Sequence, residues 1–157
     1  MPNWVISGAA TFSNGSFRPT SLNTLVEALR SNPNDADIEM QGVFRRGAAT
    51  GGETSLTLKA LSDNSELIVK YDGANVKICK VSSGGTVTDL ATTAAANFSN
   101  KPFYLHARVI GNEVRGEVGI NDNFEKPDYP TITNSLYEVI HTLTSTDAST
   151  WWAGIKA

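Results

Sequence analysis

Three acidic residues offer the most direct route to chemistry in this chain. Asp35, Asp37 and Glu39 stand at i, i+2 and i+4, so on a strand all three project from one face. Two carboxylates flanking a sugar bond are what glycoside hydrolysis uses, one as acid/base and one as nucleophile. Exposed carboxylates at the start of a strand are also ordinary surface, and no aromatic-rich cleft signature lies nearby. The expectation is a polar outer face without catalysis.

Other reactive sets fail on counting. His106 and His141 are the only histidines and Cys79 the only cysteine, whereas zinc needs three or four such ligands close together. No Gly-x-Ser-x-Gly elbow occurs. Gly47, Gly51 and Gly52 lack the lysine and following helix of a phosphate loop. No metal site is expected, with calcium left open: Asp63, Asn64, Asp72, Asn75, Asn121, Asp122 and Asn123 carry oxygen donors. They form no regular ligand ladder, and turn chemistry alone explains Asn and Asp in loops.

Binding groups are easier to find. Arg108 and Arg115 flank the turn signal Gly111-Asn112 so that a two-residue turn sets them directly opposite. Like charges in that position destabilise a sheet. Either Glu113 and Glu117 neutralise them in a salt-bridge ladder, which is the favoured reading, or both guanidiniums hold an anionic group. Tyr104 and His106 continue the same stripe. Trp151 and Trp152 alternate, so in a strand only one faces the core. Trp151 shares its side with Ala153 and Ile155, which leaves Trp152 outward, to stack on a sugar, anchor an interface or lie under a loop.

The elements that must position these groups repeat with period two. Ile38–Arg45, Leu56–Ala60, Glu66–Tyr71, Val76–Val81, Phe103–Ile110, Glu113–Ile120, Tyr137–Leu143 and Trp151–Lys156 read as strands. Asn14-Gly15, Gly51-Gly52, Asp63-Asn64, Asp72-Gly73, Gly84-Gly85 and Gly111-Asn112 punctuate them. In the central hairpin Phe103, Leu105, Ala107 and Val109 share a buried face with Val114, Gly116, Val118 and Ile120. One helix is expected within 21–31, where Leu22, Leu25, Val26 and Leu29 form an apolar stripe that Pro33 ends. The biased stretch 91–96 reads as a loop.

Composition agrees. The 157 residues suffice for one domain, 1–157, with its own core, and 40% are hydrophobic. Only 18% are charged and the net charge is −3, so nucleic acid finds no basic field. No apolar run reaches the ~20 residues of a membrane helix. The first residues lack the basic and apolar regions of a signal peptide, and a lone cysteine suits manufacture in a reducing cytosol.

The order of "DADIEMQGVFRRG", "LIVKYDGANVKICKVSSGGTVTDLATTAA", "PFYLHARVIGNEVRGEVG" and "WWAGIKA" resembles laminin-G-like members of the concanavalin A-like lectin/glucanase superfamily. Versions in phage and bacterial surface proteins look most similar, over roughly residues 35–157. The resemblance implies an all-β jelly-roll sandwich of two antiparallel sheets, often binding glycan or protein on a concave face or rim and often carrying rim calcium. A glucanase of this kind has two Glu flanking an Asp, and Asp35 departs from that pattern. The resulting expectation is a non-enzymatic binding or assembly domain, a virion decoration or fibre protein made in the host cytoplasm. Its partners would be virion or surface proteins and glycans, and it would act as an oligomer or lattice component. Trp152, Tyr104, His106, Arg108 and Arg115 are its candidate contact residues. The alternatives are a carbohydrate-binding module of a secreted or surface bacterial protein, or a glycoside hydrolase using Asp37 and Glu39.

Overall fold

The computed structural model describes residues 4–7, 10–13, 16–19, 27–32, 38–45, 53–60, 65–98, 101–120, 137–143 and 151–156, and side chains within 38–44, 53–58, 65–98, 101–120 and 137–143. The strands are β1 (Trp4–Ser7), β2 (Ala10–Ser13), β3 (Ser16–Pro19), β4 (Glu27–Asn32), β5 (Ile38–Arg45), β6 (Thr54–Ala60) and β7 (Glu66–Tyr71). They continue as β8 (Asn75–Val81), β9 (Val87–Ala94), β10 (Pro102–Ile110), β11 (Glu113–Gly119), β12 (Tyr137–Thr142) and β13 (Trp151–Lys156). A seven-stranded sheet runs β1-β4-β13-β6-β7-β8-β9, a four-stranded sheet runs β12-β11-β10-β5, and β2 and β3 pair by themselves. Every pairing is antiparallel.

The core lies between the two sheets. From the larger one come Leu56, Leu58, Leu67, Val69, Tyr71, Val76 and Ile78; from the smaller one come Ile38, Phe103, Leu105, Ala107, Val109, Val114, Val118 and Val139. Along β6, β7, β8 and β10 the contributing residues stand at alternate positions, as the pleat requires. Tyr71 ties down the segment after β9: its hydroxyl donates to the Ala96 carbonyl at 2.6 Å and accepts from the Phe98 N–H at 3.0 Å. Tight turns hold the hairpins. Gly111, between β10 and β11, has φ +56°, a conformation that side chains with a Cβ rarely adopt.

Two sequence expectations need correction. Within the stretch read as a helix, Glu27–Asn32 is strand β4, while 20–26 lie outside the described residues. β4 is bonded on both edges, to β1 in the register Ser7 with Glu27 and to β13 in the register Trp151 with Asn32. Its backbone is thus satisfied by two neighbours, and tertiary pairing overrides a short apolar stripe of helical spacing. Likewise Ala91–Ala94, read as loop, completes β9, where Ala91 pairs with Ile78 over the core.

Candidate functional site

The outer face of the four-stranded sheet gathers four of the five candidate residues. The β10–β11 register sets Tyr104 opposite Gly119, His106 opposite Glu117 and Arg108 opposite Arg115. β5 extends these rows with Val43, Gln41 and Glu39, and β12 adds Glu138 opposite Glu117 and Ile140 opposite Arg115. The like-charged arginine pair is therefore real, and its surroundings decide its character.

Arg115 is neutralised. Its Nη1 donates to Glu138 at 2.9 Å and its Nη2 to Glu113 at 3.2 Å, while its buried Nε has no partner among the described residues. Glu113 does the work expected of it; Glu117 does not. Glu117 instead lies 2.8 Å from Nδ1 of His106, and Glu39 lies 2.8 Å from Nε2 of the same ring. The imidazole thus bridges β5, β10 and β11 between two carboxylates. The Glu39 side chain is 61% exposed against 11% for Glu117. Arg108, half-buried, has no ion pair among the described residues.

Tyr104 is not available as a contact residue. Although it occupies an outward position, it is 1% exposed. Its ring lies over Gly119, whose hydrogen leaves room that a Cβ would fill by striking the Tyr104 ring and hydroxyl. Burial, and secondarily the Glu117 charge, pushes its phenol up to about 12. The exposed apolar groups on this face are aliphatic, namely Val43, Ile110 and Ile140.

Trp152 belongs to the other sheet. It pairs through its backbone with Ser31 of β4, and its side chain lies outside the described residues, as do Asp35 and Asp37. Polar pairs occur on the outward register of the seven-stranded sheet too, among the described residues. Lys77 donates to Asp89 at 2.8 Å, Lys70 to Glu53 at 3.2 Å and the Cys79 thiol to Asp89 at 3.2 Å. The Lys77 hydrogen bond holds the Asp89 carboxyl below its usual range. Burial, aided by Asp89, raises the Cys79 thiol to about 12.

Among the calcium candidates, Asp72 and Asn75 are described, and turn formation occupies them. Asp72 Oδ1 accepts the N–H groups of Ala74 at 2.9 Å and Asn75 at 2.8 Å, and its Oδ2 lies 3.6 Å from Lys77. Partial burial opposes the charge, yet these bonds hold the carboxyl low. No group of three His, Cys, Asp or Glu able to hold a metal occurs among the described residues. The other loops proposed for calcium, at 63–64 and 121–123, lie outside them.

Sequence reasoning missed Glu39 as a partner of His106 and Glu138 as a partner of Arg115. Glu138 alternates with Tyr137 and Val139, which marked it as outward. Glu39 and His106 are 67 residues apart, and only the β5–β10 register joins them.

No family model and no curated protein sequence matches this chain. Among solved structures it is similar to the carbohydrate binding module CBM66 from Bacillus subtilis, with a TM-score of 0.68 and 15% identity over 100% of this chain and 88% of that one. It is also similar to the VIP36 exoplasmic/lumenal domain in its Ca2+/Man-bound form, with a TM-score of 0.60 and 14% identity over 99% and 82% of the two chains. Identities this low speak for backbone architecture and leave the ligand to the site. Two stacked antiparallel sheets in this order, shared over nearly the full length, give the chain the concanavalin A-like jelly-roll fold.

Proposed function

We propose that this chain is a non-enzymatic carbohydrate-binding domain that holds sugar hydroxyls on the outer face of its four-stranded sheet. Arg108 carries the reading: it is a half-buried residue with no ionic partner among the described residues, in register between Glu39 and Arg115. A guanidinium fork reaches two neighbouring oxygens at once, and a carboxylate accepts from two hydroxyls. The bonded ladder around them is ordered before any ligand arrives, which lowers the entropy cost of binding. The names of the similar structures, a carbohydrate binding module and a Man-bound domain, support the same reading. Trp152 on β13 is a second candidate for sugar stacking.

On a glycan array the chain should retain a defined set of sugars. Arg108→Ala should weaken binding about tenfold to a hundredfold, the worth of one or two charge-assisted hydrogen bonds. Binding by Arg108→Ala equal to wild type, or no sugar retained, overturns the proposal. Turnover of laminarin or agar that disappears in Glu39→Gln would make the chain an enzyme. The proposal needs no calcium, so affinity should persist in a chelator; a loss restored by calcium would put the ion in the site. The finer reading carries this domain on a virion as a decoration or fibre protein, or on a bacterial surface. Sheet edges without a described partner favour assembly of this kind, and co-sedimentation with purified particles tests it.

A further inference from the structure

The two sheets leave four edges, and they are not equivalent. β1, at one end of the larger sheet, has only four residues. β5, at one end of the smaller sheet, packs over β6 and β13, so that β4 and β1 extend beyond it and shelter its edge. The other two edges, β9 and β12, lie together and end flush, since β12 packs over β8 and β9.

Exposed strand edges are normally guarded by lysine, proline or a bulge. β9 has such a guard: its register shifts between Ile78 and Cys79, and Leu90 is left without a partner. β12 has none. Its sequence is Tyr-Glu-Val-Ile-His-Thr, without lysine, proline or glycine, and its ladder to β11 runs unbroken from Tyr137 to Thr142. Its one carboxylate is already neutralised by Arg115. Ile140 stands 44% exposed on its outer side. By composition this is a strand with high β propensity, and its far edge has no strand partner among the described residues.

We infer that β12 is a self-pairing edge through which two copies of this chain join their four-stranded sheets into one continuous antiparallel sheet. A second copy fits because β12 is complementary to itself under a two-fold axis. In the register that centres on Ile140, each Ile140 lies against its counterpart, Glu138 faces Thr142 and Val139 faces His141. No like charges oppose one another, and the most exposed apolar group of the strand is covered. The contact is isologous, as in most homodimers, and nothing of the larger sheet stands in its way.

Light scattering of the 157-residue chain over a range of micromolar concentrations is the test. The expected mass is twice the 16.8 kDa of one chain. Ile140→Lys, a guard placed on an exposed position, should return it to one, while Val87→Lys on β9 should leave the dimer intact. Hydrogen exchange should show β12 amides protected in the dimer and released in Ile140→Lys. A monomer at every concentration overturns the inference. A dimer that survives Ile140→Lys, or whose β12 amides exchange freely, overturns it as well, and loss of the dimer in Val87→Lys would assign the contact to β9.

Discussion

Tyr104 shows how one residue on an outward position becomes interior. Alternation places it outside, and Gly119 opposite gives its ring a floor on which to lie. The hydroxyl is then buried with no partner among the described residues, a state that costs about 1–3 kcal/mol relative to a satisfied group. Tyr104→Phe deletes the unpaired oxygen and keeps the ring, so thermal unfolding should occur at the same temperature or a higher one. A clear fall would mean that the hydroxyl is bonded in solution. Cys79 is buried beside Asp89 with its thiol raised to about 12. Thiolate is the reactive form, so a disulfide reagent at neutral pH should label Cys79 slowly in the native chain and fast in denaturant. Rapid labelling of the native chain would contradict this environment.

At the scale of elements, the hairpin β10–β11 was the most legible part of the sequence. Its turn signal fixed the register, and the register put Arg108 opposite Arg115 before any tertiary information entered. Leu105 is wholly buried as that register demands, and Leu105→Ala should cost about 2–5 kcal/mol in denaturant unfolding. Gly116 was not legible in the same way, because what constrains it lies on strands remote in sequence, Val69 of the larger sheet and Val139 of neighbouring β12. A Cβ there would stand 2.5 Å from Val69 Cγ1 and 3.1 Å from Val139 Cγ1. Both neighbours are β-branched and stiff. Gly116→Ala should therefore destabilise by about 1–3 kcal/mol, and Gly84→Ala, with only Ser82 Oγ at 3.9 Å, should be nearly silent. Equal effects would show that the sheets can part at Gly116 without cost. β4 was misread for a related reason: its strand state comes from β1 and β13, which are remote in sequence, and not from its own periodicity.

For the whole molecule, the same division between local and remote information governs the site. The strands from Ile38 onward other than β9, and the sharing of one face by His106, Arg108 and Arg115, follow from alternation and one turn. The pairing of His106 with Glu39, and the assignment of Trp152 to the opposite sheet, follow only from sheet order. The charged groups within this architecture also set how its stability responds to pH. Asp89, through Lys77, and Asp72, through its turn bonds against partial burial, have carboxyls held below 3.8. Each favours the folded state fully above about 3.8, and that contribution fades as pH falls through the lowered values. At the other end, Cys79 and Tyr104 rise by burial from 9.0 and 10.0 to about 12. The unfolded chain releases these protons first, so stability is fully kept below about 9 and declines between about 9 and 12. Unfolding free energies measured across pH should form a plateau between these two limits, with a fall on each side. Cys79→Ala combined with Tyr104→Phe should flatten the alkaline limb, and the acid limb should shrink only by the share that the Cys79 hydrogen bond gives Asp89 and persist through Lys77 and Asp72. An alkaline limb identical in the double variant would show that other groups control it.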